Sequence, residues 1–231
     1  RERNIQVSNV PYYGTFSVAQ HTLALLLHYS NQVGLHANSV AAGDWSRNAD
    51  WSYTLHPIQE WHGKTLGIIG MGNIGNCFAG MAESLGMQVI YAHTKDLHLA
   101  NRRFVSLTEL AQQSDVISLH CPLNPATENL IQAEFLAQMK PSAVLINTSR
   151  GGLIDHLALA HALENDIIAA ALLDVLEVEP PAESHVMMGT KNAWITPHIA
   201  WISLEARKRI VASMQETLDM FVHGKAQNQV N

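Results

Sequence analysis

Thr65-Leu66-Gly67-Ile68-Ile69-Gly70-Met71-Gly72-Asn73-Ile74-Gly75 decides the fold of this chain. An apolar run stops at Gly70, and Gly72 and Gly75 complete a G-x-G-x-x-G spacing. Apolar periodicity then predicts a helix over 74–85. Strand, glycine turn and helix, in that order, form the setting in which this spacing binds a dinucleotide. Gly70 permits the tight turn, Gly72 keeps side chains away from a pyrophosphate, and Gly75 lets the helix pack close to the strand. The helix N-terminus, with Asn73 and Ile74 leading it, attracts the phosphates.

Short apolar strands are predicted after this unit at 89–92, 116–120, 143–147, 167–173 and 194–196. Helices are predicted between them at 107–113, 133–139 (stopped by Pro141) and 153–163, with a last amphipathic one over about 204–222. Continuous apolar strands alternating with helices define an α/β fold, a doubly wound parallel sheet buried on both faces. Before the glycine run, Ile5-Gln6-Val7 alternates like a short strand and meets the turn Pro11-Tyr12-Tyr13-Gly14. Ser17 and Gln20 have capping-box spacing ahead of a helix that runs through Leu23–Leu27 to about His36. Residues 43–63 carry Trp45, Trp51 and Trp61 with little periodicity, as expected of an excursion against a second subunit.

The 231 residues carry a formal charge of −6 with no basic run, which argues against nucleic acid or a membrane surface as a partner. No stretch of about 18 apolar residues exists to span a bilayer. The start, Arg1-Glu2-Arg3-Asn4, lacks the apolar segment of a signal peptide. Cys77 and Cys121 form no disulfide framework, which fits a cytoplasmic protein.

In a doubly wound sheet, ligands sit beyond the C-terminal strand ends. Those ends carry His93, His120, Thr148-Ser149-Arg150, Asp174 with Glu179 shortly after, and His198. Four segments make a resemblance specific: His120-Cys121-Pro122-Leu123 with Thr127, Leu145 to Gly152, Asp174-Val175-Leu176-Glu177-Val178-Glu179-Pro180, and Thr196-Pro197-His198-Ile199-Ala200-Trp201. In this order they resemble the signatures of the D-isomer-specific 2-hydroxyacid dehydrogenases. Asn9-Val10-Pro11-Tyr12 and Trp201 look most like the glycerate dehydrogenase/hydroxypyruvate reductase branch.

The resemblance implies hydride transfer between a nicotinamide cofactor and a small D-2-hydroxy acid or 2-oxo acid, glycerate/hydroxypyruvate or glyoxylate. It implies that Arg150 grips the substrate carboxylate, for which a guanidinium fork is well shaped. It makes His198 the proton donor and acceptor, paired with Glu179, which favours the imidazolium and orients the ring. Asp174 is expected to accept from the nicotinamide carboxamide. His120, Pro122, Thr127, Thr148, Ser149, Arg150 and His198 are expected beside the cofactor. Where NAD enzymes carry a carboxylate for the ribose hydroxyls, this chain has His93-Thr94-Lys95. A hydroxyl and a cation tolerate a 2′-phosphate, so NADP is slightly favoured over NAD.

Family members build a second, smaller substrate domain from both ends of the chain. Residues 1–10 are expected to be a remnant of its N-terminal part, 11–200 the dinucleotide-binding domain, and 201–231 the helix and tail returning to it. Most of the N-terminal part is expected to be missing, leaving cofactor binding with weak turnover. A homodimer is expected. No metal site is expected; His21 and His28 share a helix face without a third ligand. Cys77 is expected to be buried and inert. Ser142 and Ser149 lack the setting of a serine hydrolase. The alternative, from a different class, is a dinucleotide-sensing, corepressor-like binding protein on the same fold. Formate dehydrogenase is disfavoured because Glu179 supplies a proton-linked pair that formate oxidation does not need. Phosphoglycerate dehydrogenase with an added regulatory domain is disfavoured because the sequence stops at Asn231.

Overall fold

The computed structural model describes residues 5–230; the polar start at 1–4 and Asn231 lie outside them. Three helices come first: α1 (Thr15–Asn31), α2 (Val33–Ala41) and α3 (Asp44–Arg47). The alternating part follows as β1 (Thr65–Ile69), α4 (Asn73–Ser84), β2 (Gln88–Ala92), β3 (Arg103–Phe104), α5 (Leu107–Gln113), β4 (Val116–Leu119), α6 (Ala133–Leu136), β5 (Val144–Asn147), α7 (His156–Glu164), β6 (Ala170–Leu173) and β7 (Ala193–Ile195). A long α8 (Leu204–Val222) closes the chain.

The seven strands form one sheet in the order β3-β2-β1-β4-β5-β6-β7, every pairing parallel. Side chains alternate between two buried layers, as the period of a strand requires. Ile68, Tyr91, Val116 and Ile146 face Phe78 and Ala82 of α4 and Leu26 of α1. Ile69, Ile117, Leu119 and Leu145 face Leu110, Leu136, Leu159 and Leu163 of α5–α7. The strand order reverses between β1 and β4, which opens a crevice at their C-terminal ends.

Side-chain caps set several helix starts. Ser106 accepts the Glu109 N–H at 3.1 Å, Asp155 accepts those of Leu157 and Ala158, and Ser203 accepts that of Ala206 at 3.1 Å. The Asp155 cap explains why α7 starts later than the periodicity predicts; Gly151–Leu153 before it are a 3-10 turn.

Three sequence expectations need correction, and one element is unforeseen. In place of the strand at 5–7 there is a single bridge between Ser8 and Gln229, with backbone bonds from Asn9 to Asn228 and from Val230 to Val7. Ser17 does not cap α1; the N-cap is Gly14, and the Ser17 hydroxyl binds elsewhere. The helix predicted to reach His36 breaks at Gln32, whose φ of 46° is left-handed. The two-residue edge strand β3 carries too little pattern to be foreseen.

Candidate active site

The crevice measures about 940 Å³ and opens at the topological switch point. Gly72, Asn73 and Ile74 line it from the glycine turn. His120 and Pro122 line it after β4, Thr148, Ser149 and Arg150 after β5, Asp174 after β6, and His198 and Trp201 after β7. Tyr12 and Tyr13, from the turn before α1, line it as well. Gly70 turns with φ 96°. A Cβ on Gly72 would meet no protein atom within 4 Å. Nothing inside the chain therefore excludes a side chain there; the open cradle suits an external group that must approach the backbone. No side chain caps the start of the 12-residue α4 beside it, so its N–H groups remain available to an anion. These residues fit a dinucleotide.

His198 and Glu179 meet here. The ring Nδ1–H donates to Glu179 Oε2 at 2.6 Å, and the Leu176 N–H donates to Oε1 at 2.9 Å, so the carboxylate is itself held. Nε2 is left as the nitrogen that can exchange a proton with a ligand. His198 has φ 52°, uncommon for a residue with a side chain. Asp174 stabilises that turn. Its backbone carbonyl accepts the His198 N–H at 2.9 Å, and its carboxylate accepts the N–H groups of Ile199 and Ala200 at 2.9 and 2.8 Å. The Thr196 hydroxyl donates to the same carboxylate at 2.5 Å. Burial alone would raise the Asp174 pKa, but its bonds to His21, Thr196, Ala200 and Ile199 outweigh that and hold it below the usual carboxylate range.

Arg150 extends from a loop tied down on both sides. The Asn147 amide donates to the Arg150 carbonyl at 2.8 Å, and the Ser149 hydroxyl donates to the Leu119 carbonyl at 2.8 Å. The Arg150 guanidinium donates one N–H to the Ser149 carbonyl and is otherwise exposed to the crevice. Next to it, a Cβ on Gly151 would overlap the backbone of Leu176 and Glu177. The loops carrying Arg150 and Glu179 are thus packed backbone to backbone.

His120 is deeply placed, with its Nε2 2.9 Å from the Ser118 hydroxyl and its Nδ1 buried without a partner among the described residues. Burial pushes its pKa down to about 4, so the ring is neutral at physiological pH. Burial also raises the thiols of Cys77 and Cys121, which overrides the helix start near Cys77. The structure does not bring Thr127, His93, Thr94 or Lys95 to the crevice lining. Thr127 bonds within its own turn, its hydroxyl donating to the Pro122 carbonyl at 2.7 Å. Residues 93–95 stand just beyond β2, on the far side of the glycine turn from Arg150.

A second cluster lies outside the crevice lining. His156 donates from Nδ1 to Glu177 Oε2, and His185 faces Oε1 at 3.5 Å. His185 Nδ1 accepts the Met187 N–H, so its Nε2 carries the hydrogen and has no lone pair for a cation. Only His156 and Glu177 are hydrogen-bonded to each other; His185 Nε2 is buried without a hydrogen-bond partner among the described residues. His156 and Glu177 lie 21 residues apart, a spacing that matches no motif, so sequence reasoning missed the pair.

A parallel sheet with a glycine turn, an unfilled cradle and a histidine–carboxylate pair at one edge defines a nicotinamide-dependent oxidoreductase. Residues 23–200 match the family described as D-isomer specific 2-hydroxyacid dehydrogenase, NAD binding domain. The chain belongs to this family. It is 44% identical to a hydroxypyruvate reductase of Blautia hydrogenotrophica and 39% identical to a glycerate dehydrogenase of Methylorubrum extorquens, covering 100% of this chain and 73% of each relative. The crystal structure of the TT0316 protein from Thermus thermophilus superimposes with a TM-score of 0.90 at 38% identity, over 100% of this chain and 73% of that one.

Proposed function

We propose that this chain carries the cofactor site and proton-transfer pair of an enzyme that interconverts hydroxypyruvate and D-glycerate, with glyoxylate as a second substrate of the same chemistry. The observation that carries the reading is the 2.6 Å bond from His198 Nδ1 to Glu179, in a crevice shared with Arg150 and Gly72. Bound NAD(P)H supplies the hydride that reduces the carbonyl carbon. Arg150 holds the substrate carboxylate through its fork and polarises the neighbouring carbonyl. His198 Nε2 gives its proton to the developing alkoxide and takes it back in the oxidative direction. Glu179 fixes the tautomer that leaves Nε2 facing the ligand. Gly70, Gly72, Asn73, Ile74 and Gly75 receive the pyrophosphate. His120, Pro122, Thr148, Ser149 and Asp174 form the wall beside the cofactor, and Thr127 braces the Pro122 turn behind it.

NADP is the favoured cofactor. The support is the run His93-Thr94-Lys95, which offers a hydroxyl and a cation where a carboxylate would repel a 2′-phosphate. The three-part division at 1–10, 11–200 and 201–231 belongs to the same reading. Its support is the pairing of the two ends, where Val230 N–H donates to the Val7 carbonyl at 2.9 Å. The protein acts as a cytoplasmic homodimer. Trp51, 87% exposed, with Trp45, Val33 and Ile58, offers an apolar surface for a second copy. Among the described residues, no helix is long and apolar enough to cross a membrane.

Steady-state kinetics of the intact protein with hydroxypyruvate, glyoxylate and both cofactors test this. Reduction with a lower KM for NADPH is expected. Binding of NADPH with no turnover of any 2-oxo acid would reject the enzyme and favour a dinucleotide sensor. A strong preference for NADH would remove the NADP assignment alone.

A further inference from the structure

Side chains of α1 reach both catalytic loops. The Ser17 hydroxyl donates to the Ala200 carbonyl at 2.6 Å, two residues beyond His198. Thr22 spends its hydrogen on the Val18 carbonyl at 2.8 Å, so at 2.9 Å it is the Thr148 hydroxyl that donates to Thr22, two residues before Arg150. His21 sits between them, with Nε2 3.0 Å from Thr196 Oγ1 and 3.5 Å from Asp174 Oδ1. The Thr196 hydrogen goes to Asp174, so the Thr196 oxygen accepts and His21 Nε2 must donate. Residues 17 and 21 are one helical turn apart, which places them on a common face.

We propose that His21 is a positioning residue for the reaction: through Thr196 and Asp174 it sets the aim of His198. Its Nε2–H donates to Thr196 Oγ1, whose own hydrogen goes to the fully buried Asp174 carboxylate 3.5 Å from the ring, and that carboxylate holds the left-handed turn at His198 by the Ile199 and Ala200 amides. Without that donor the Thr196 oxygen loses the partner that turns its hydrogen toward Asp174, and the turn the carboxylate organises relaxes. Ser17 and Thr22 apply the same helix to the outer end of the His198 loop and to the Arg150 loop. The distance between proton donor and carboxylate clamp is therefore built into α1, although His21 does not line the crevice. The proposal rests on the proton-transfer role given to His198.

The test compares His21→Leu with His21→Gln in the intact protein, alone and in a His198→Asn background. Gln keeps an N–H near the position of Nε2; Leu keeps volume and loses the donor. His21→Leu is expected to lower kcat by about tenfold or more, the scale of a small misplacement of a reacting group. The NADPH Kd should move less than about twofold and the melting temperature should hold, while Gln restores kcat to within about threefold. In the His198→Asn background, His21→Leu should add no further loss. Full kcat in His21→Leu overturns the proposal. So does an equal loss in Leu and Gln that follows a fall in melting temperature, or an additive loss on His198→Asn. If His198→Asn itself keeps its kcat, the role of His198 falls and the proposal with it; if His198→Asn loses kcat while His21→Leu keeps it, the proposal falls alone.

Discussion

Glu177 and Glu179 leave the same loop after β6, and each takes the Nδ1 hydrogen of a histidine. The chemistry is the same; the surroundings of the second ring nitrogen differ. At His198 the side chain is 41% exposed and lines the crevice. At His156 the side chain is 1% exposed and Nε2 is buried with no partner among the described residues. A histidine–glutamate pair thus either turns its far nitrogen to a crevice, as at His198, or seals it in the interior, as at His156, and only the first can reach a ligand. Pair geometry alone does not identify a catalyst.

The comparison can be broken most sharply at His198. His198→Asn should lower kcat by about a thousandfold, within the range for loss of a general acid, and leave the NADPH Kd within about twofold. Stopped-flow or steady-state reduction of hydroxypyruvate reads this, and near-normal turnover would erase the distinction between the pairs. The mirror experiment is His156→Ala. It should cost about 3 kcal/mol in urea unfolding, through the cavity and the lost partner of Glu177, while the folded protein keeps kcat within about threefold. A large kcat loss at unchanged stability would make this pair catalytic too.

Glu179→Gln sharpens the role of the carboxylate. The amide can present a donor to Nδ1–H, which favours the wrong ring tautomer, and kcat should drop by about a hundredfold. His120 gives the smallest effect. It stays neutral in the folded state with a pKa of about 4, against about 6.5 when unfolded. The unfolded chain therefore binds more protons between those values, so stability is complete above pH 6.5 and is lost as pH falls toward 4. Between pH 7 and 5 the loss from this ring should be about 2 kcal/mol. Unfolding curves at both values check it, with the difference disappearing in His120→Asn.

Much of this architecture is legible in local pattern. The glycine run fixes β1 and α4, because turn, cradle and helix start all lie within eleven residues. The limits of α5 and α8 follow from apolar periodicity and, at Ser106 and Ser203, from caps next to the helix. Segments 120–122, 148–150, 174–179 and 198 locate the crevice through their strand-end positions. Contacts distant in sequence are not legible in this way. Ser17 reads as a cap until the fold brings Ala200, 183 residues away, to its hydroxyl. His21 reads as a packing or dimer feature until the chain leaving β7 places Thr196 beside it. At the Gln32 break the left-handed residue is itself neither Gly nor Asn, and the nearby Gly34 lies inside the next helix.

The fit of Gly151 against the Leu176–Glu177 backbone has a consequence for how this enzyme can change. Even a single methyl there acts as a wedge, and it prises the guanidinium's loop from the one bearing the acid. Replacements around this crevice are therefore expected at its other lining residues, such as Tyr12, Leu123 or Trp201, because the seam between the two loops has no room for variation. A saturation library at position 151 should return glycine almost alone, whereas those positions should accept many replacements.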